Sequence, residues 1–175
     1  MQSLLKQDFF ELFRLSPGFV LDTAELASRY RELQQVVHPD RYASASEQDR
    51  RLSTQNAAHV NEAYQTLKHP LSRARYLLRL RGLDIDSSAA MPAEFLMEQM
   101  SLREQLESVP TEAEPLAAMM QLRQDVQRKI DDLVPVFVEQ LAQGNNEPAV
   151  EIFNKMQFLY RLLDEVDASE EHLSG

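Results

Sequence analysis

The chain has 175 residues, 43% of them apolar and 26% charged, with a formal net charge of −10 and no cysteine. Length and composition provide for one or two small globular domains with a packed core and argue against a disordered polymer. They exclude disulfides and thiolate sites for zinc or an iron–sulfur cluster, and no apolar run approaches a membrane span, residues 133–138 being among the longest.

About seven helices and no strands are predicted. The first residues hold an acid at Asp8 and no secretory core, and a mitochondrial presequence would be basic, so the expected compartment is the cytoplasm. A short helix starts near Asp8. The next spans residues 23–37, where Leu26, Tyr30, Leu33 and Val37 recur at helical spacing, with Asp22 as N-cap and Glu25 completing a capping box. Pro39 disfavours an α conformation at His38 and has a fixed φ of its own, so the helix stops there. His38-Pro39-Asp40 then forms a rigid exposed turn, an imidazole and a carboxylate suited to contact with another protein.

A third helix is predicted over residues 48–68, on the spacing of Leu52, Val60, Ala63, Tyr64 and Leu67, and a fourth over 72–80. After a linker at 82–91, Pro92 suits the first turn of a helix running to Val109. Thr111 and Glu114 read as a capping box for a long helix that ends at Gly144 and is kinked by Pro135. Asn146 caps the last helix, with Pro148 in its first turn; it should reach about Val166, with 167–175 fraying. The expected fold is therefore all-α: an N-terminal domain over 1–81 built on a helical hairpin with the His38-Pro39-Asp40 turn, a linker at 82–91, and a three-helix bundle over 92–175. Charge divides at the same place. Residues 1–81 carry twelve Lys and Arg against nine Asp and Glu, whereas 82–175 carry six against nineteen. The acidic half would repel phosphate, which argues against nucleic acid as a partner.

In the helix over 92–109, Phe95, Leu102, Leu106 and Val109 form one apolar stripe, enough for a core. Leu96, Met97 and Met100 fall away from it, on the side of Glu104. In the last helix Ile152, Met156, Leu159, Leu163 and Val166 form the stripe, while Phe158 projects roughly 130° from its centre. Off-stripe apolar residues on two neighbouring helices predict one exposed patch, where methionine adapts well to a partner's surface. The bland alternative is that these residues pack within the protein.

Taken in order, His38-Pro39-Asp40, Asn61-Glu62-Ala63-Tyr64 and Pro70-Leu71-Ser72-Arg73-Ala74-Arg75-Tyr76 resemble the J domain of DnaJ-type co-chaperones. The resemblance implies that His38, Pro39 and Asp40 dock on a DnaK-type ATPase chaperone and stimulate its ATP hydrolysis. Arg29 and Arg31 would lie on the basic face of that helix, with Arg41 as the basic residue after the turn. Gln35, Val36 and Val37 depart from the common pattern, more basic there and ending in an aromatic residue, which leaves room for a specialised partner. Further on, Phe95-Leu96-Met97-Glu98-Gln99-Met100 with Leu102-Arg103-Glu104 is similar to the C-terminal domain of HscB-type J proteins, in a bacterial form without a cysteine-rich extension. That resemblance implies an HscA-type ATPase chaperone and an IscU-type iron–sulfur scaffold as partners, the scaffold held by Leu96, Met97, Met100, Glu104 and Phe158. Ser101 and Ser108 stand where relatives often carry acids, which implies a less salt-sensitive complex. Four large side chains would contribute about 6–12 kcal/mol gross, against an association cost of about 4–15 kcal/mol, so the expected complex is transient.

Other chemistry is poorly supplied. His38 and Asp40 are expected to diverge across the proline, with no nucleophile placed beside them. His59 and Glu62 have an i, i+3 spacing that needs further ligands to hold a metal, and His69 sits at a helix end where the dipole accounts for it. Phosphate-loop and dinucleotide motifs are absent, so no cofactor is expected and the chain should stimulate an ATPase rather than bind ATP. Two other readings are a J protein serving another client of a general DnaK-type chaperone, and a small metalloenzyme using His38, His59 and nearby carboxylates.

Overall fold

A computed structural model describes residues 2–83, 85 and 91–174, and all its regular elements are helical. It resolves into two compact units, Met1–Arg81 and Gly82–Gly175. The proposed linker at 82–91 lies largely outside the described residues.

In the first unit, α1 (Phe9–Leu12) opens on a full capping box. The Asp8 carboxylate accepts the Phe10 and Glu11 N–H groups, and the Asp8 N–H donates to Glu11. The box expected at Asp22 is incomplete. Asp22 caps α2 (Thr23–Val37) by accepting from Ala24 and Glu25, but the Glu25 carboxylate is taken by Arg29 one turn on. A 3₁₀ turn over Pro39–Tyr42 follows, then α3 (Glu47–Lys68) under a Ser46 cap, and α4 (Pro70–Leu80). This last helix begins two residues earlier than expected because Pro70 itself occupies the first-turn position, where its missing N–H costs nothing.

α2 and α3 form the hairpin, joined over Leu26, Val37, Val60, Ala63 and Leu67, all fully buried. On its flank the Tyr30 and Tyr64 rings stack 4.0 Å apart, and Tyr30 Oη donates to Asn61 Oδ1 at 2.8 Å. Two polar side chains lock the remaining segments. Buried Asn56 bonds the backbone of Gln2 and Leu4. Buried Arg73 donates to the carbonyls of Phe19 (2.7 Å) and Leu67, its guanidinium lying over the Phe19 ring. The arginine of the P-x-x-R-A-x-Y segment is thus a strut between loop and helices. Since a buried carbonyl deprived of its donor costs about 1–3 kcal/mol, Arg73→Met is expected to lower the unfolding free energy by at least about 2 kcal/mol, read from urea denaturation.

Tyr76 closes the other side of this unit, stacking on Phe9 at 4.3 Å and accepting the Phe9 N–H at 2.9 Å. Burial raises its phenol above the ordinary 10.0, outweighing the Phe9 bond, and Asp8, Glu11 and Glu62 add to the rise. A folded value above the unfolded one means this contribution is complete below about pH 10 and is lost as the pH climbs through the raised value. Ultraviolet titration should show a tyrosine ionising late, and Tyr76→Phe should remove that phase.

The second unit comprises α5 (Ala93–Ser108), a 3₁₀ turn over Val109–Thr111, α6 (Pro115–Gln143) and α7 (Asn146–Ser174). Three expectations fail here, the first being that Asn146 is the opening residue of α7 and not its cap, since the Ala149 N–H bonds back to Asn145 O. Thr111 is not a cap: its hydroxyl donates to Ser108 O inside the 3₁₀ turn, and Pro115 starts α6. Nor does α7 stop near Val166. Arg123 pairs with Asp167 at 2.7 Å and Ser169 Oγ donates back to Glu165 O, so helix persists to Ser174. α6 continues through Pro135 and ends at Gly144 in the left-handed region (φ 74°). The core draws Leu102 from α5, Met119, Leu122, Val126 and Ile130 from α6, and Leu159, Leu162 and Val166 from α7. Leu162, not Leu163, is the fully buried member of its pair.

Candidate functional site

The turn after α2 is built by what proline prevents. His38 is held extended (φ −55°, ψ 127°), and Pro39 starts the 3₁₀ turn, closed by Arg41 N–H to His38 O at 3.1 Å. The His38 side chain is 54% exposed and that of Asp40 91%. The two do not diverge across the proline as expected. The Asp40 N–H donates to His38 Nδ1 at 3.3 Å, and the Asp40 carboxylate lies 3.6 Å from the same nitrogen. The 3₁₀ curl returns Asp40 to the imidazole, bringing both its amide and its carboxylate to Nδ1.

The basic residues separate into different duties. Arg29 is half-buried, donating to the carbonyls of Phe13 and Arg14 and to Glu25, so it ties α2 to the end of α1. Arg31 and Arg41 are exposed, although Arg41 also donates to Gln35 O at 3.0 Å. Two residues that sequence reasoning passed over hold the turn: Tyr42 Oη donates to Val36 O at 3.3 Å, and buried Ser53 Oγ to Val37 O at 2.7 Å. No periodicity or motif marks either one. His59 packs edge-on against Phe9 at 5.5 Å, with Nε2 3.4 Å from Gln7 O. Among the described residues no three His, Asp or Glu gather closely enough to hold a metal ion.

On the second unit, α5 leaves Leu96 46%, Met97 71% and Met100 64% exposed, with Glu104 exposed on the same face. Phe158 is different. Its ring meets Phe95 edge-to-face at 5.8 Å, lies under the Arg103 guanidinium at 5.7 Å and packs on the core, so it is half-buried. Side chains of α5 cover the ring that helix periodicity alone leaves outside the core stripe. Arg103 also reaches Glu165 at 3.4 Å, and Lys129 pairs with Glu98 on the other flank of α5. The exposed apolar residues therefore form a ridge on α5 alone, while Phe158 packs on Phe95, Arg103 and the core. What remains open on the three exposed side chains is roughly two residues' worth of apolar surface, a gross gain of about 3–5 kcal/mol if covered.

Comparison with known proteins covers both units. A family profile for the DnaJ domain matches residues 8–76, and one described as the HSCB C-terminal oligomerisation domain matches residues 91–167. The chain is 42% identical to the co-chaperone protein HscB homolog of Shewanella loihica over 171 residues, which is 95% of this chain and 99% of that one. Among solved structures, the chaperone HscB from Vibrio cholerae superposes with a TM-score of 0.88 at 42% identity, covering 95% of this chain and 99% of that one. Human co-chaperone protein HscB gives the same TM-score at 33% identity, covering 97% and 86%.

Proposed function

The chain belongs to the HscB family of J-domain co-chaperones, and from that premise we propose that it binds an IscU-type iron–sulfur scaffold, delivers it to an HscA-type ATPase chaperone and stimulates that chaperone's ATP hydrolysis, aiding cluster assembly or transfer in the bacterial cytoplasm. The chaperone docks on His38, Pro39 and Asp40, with Arg31 and Arg41 beside them. The scaffold docks on Leu96, Met97, Met100 and Glu104, with Phe158 supporting the ridge from behind. Arg29 contributes by holding α2 in place.

The observation that carries this reading is one chain with two exposed surfaces of different chemistry: a proline-fixed polar turn on one unit and an apolar ridge on the other. The ridge's gross gain of about 3–5 kcal/mol falls at or below the roughly 4–15 kcal/mol cost of association. Polar contacts around Glu104 must supply the rest, and the complex is weak and reversible, as delivery requires. Purified chain mixed with an IscU-type scaffold should give calorimetric binding at micromolar concentrations, and the pair should stimulate an HscA-type ATPase more than the chain alone. Absence of both would end this reading.

A further inference from the structure

A helix that stops as α2 does leaves its last carbonyls without backbone donors, and Pro39 has no N–H to offer. Three side chains from beyond the stop supply them: Arg41 to Gln35 O, Tyr42 to Val36 O and Ser53 to Val37 O. The first two begin in the turn they brace. Ser53 lies 16 residues from its acceptor, on α3, and anchors the turn to the body of the unit.

The carbonyl of Val37 belongs to the same rigid peptide plane as the nitrogen of His38. Holding that plane from Ser53 fixes where the His38 Cα begins. On the other side Pro39 fixes its own φ. Between these two points the Arg41 N–H to His38 O bond and the Asp40 N–H to Nδ1 bond set what is left, the φ and ψ of His38 and the direction of its ring. Ser53 is fully buried, so it cannot touch a partner; any effect it has on docking passes through the turn.

We propose that Ser53 and Tyr42 are positioning residues that set the direction in which His38 and Asp40 are presented to the ATPase chaperone. This rests on the reading of the turn as the chaperone-docking element.

The test compares Ser53→Ala, Tyr42→Phe, the two together, and Ser53→Thr, which keeps the hydroxyl, with His38→Gln as reference. Each full-length variant is titrated into an HscA-type ATPase well below its thermal midpoint, with circular dichroism recording the fold. If the aligned turn falls to roughly a third of the population, the half-saturating concentration rises about threefold with the maximal stimulation unchanged. Ser53→Thr should restore the parent value. Tyr42→Phe, which removes one hydroxyl at a half-buried position, keeps the question open to measurement even if position 53 tolerates no change. A lower melting temperature with unmoved half-saturation in both Tyr42→Phe and Ser53→Ala would overturn the positioning role alone. An unaffected His38→Gln would overturn the docking reading, and the positioning role with it.

Discussion

His38→Gln is expected to abolish stimulation of the ATPase chaperone while leaving the protein folded. The imidazole is more than half exposed, and it contacts the amide and carboxylate of Asp40, two residues on. Losing one such solvent-facing bond costs no more than about 1 kcal/mol of stability. A side chain at the centre of a docking surface is worth about 2–4 kcal/mol of binding, and at 1.4 kcal/mol per decade this is a loss of roughly thirtyfold or more. Steady-state ATPase assays measure it directly. Asp40→Asn should act in the same direction, because its carboxylate is almost wholly exposed and available to a basic partner. Full stimulation by either variant would show that the turn is not where the chaperone binds.

The second large effect is expected at the other surface. Met97→Ser combined with Met100→Ser removes the two most exposed side chains of the α5 ridge without opening a cavity, so thermal stability should hold. Scaffold affinity should fall by roughly five- to thirtyfold, taking about 1–2 kcal/mol of lost apolar cover for the pair, as measured by calorimetry. ATPase stimulation by the chain alone should be unchanged. Phe158→Ser is a poorer probe than the sequence implied. It would remove the ring that Phe95 and Arg103 pack against, and so lower stability and binding together. Unaltered affinity in the methionine pair would take the ridge out of the proposal.

The sequence made the fold class and family legible because its strongest signals are punctuation. Asp22 and Pro39 bound α2 at the residues observed, and Gly144 ends α6, whereas α7 takes in Asn146, its expected cap, as its first residue. Where the cap expected at Thr111 competed with Pro115 to start a helix, the proline won, and Pro70 likewise opens α4. The exposure of Leu96, Met97 and Met100 could be read because it depends only on their angle around one helix. Phe158 could not be placed that way, since its burial depends on where a neighbouring helix lies. The same limit hid Ser53, Tyr42 and the tie from Arg29 to α1: side chains bonding a particular carbonyl of another segment leave no periodic trace. Across unit one, polar residues that looked like surface proved to be fastenings.

Within the second unit, the helix that bears the ridge is also the one most lightly held. α5 has 16 residues and rises about 24 Å, while α6 and α7, with 29 each, rise about 43 Å. Within its span Phe95 and Leu102 are its buried side chains, against six on α6. Local opening is cheapest where fewest apolar groups must be exposed. Cargo that covers Met97 and Met100 would therefore slow amide exchange along α5, and seizing the scaffold and stiffening the hand that holds it become a single event.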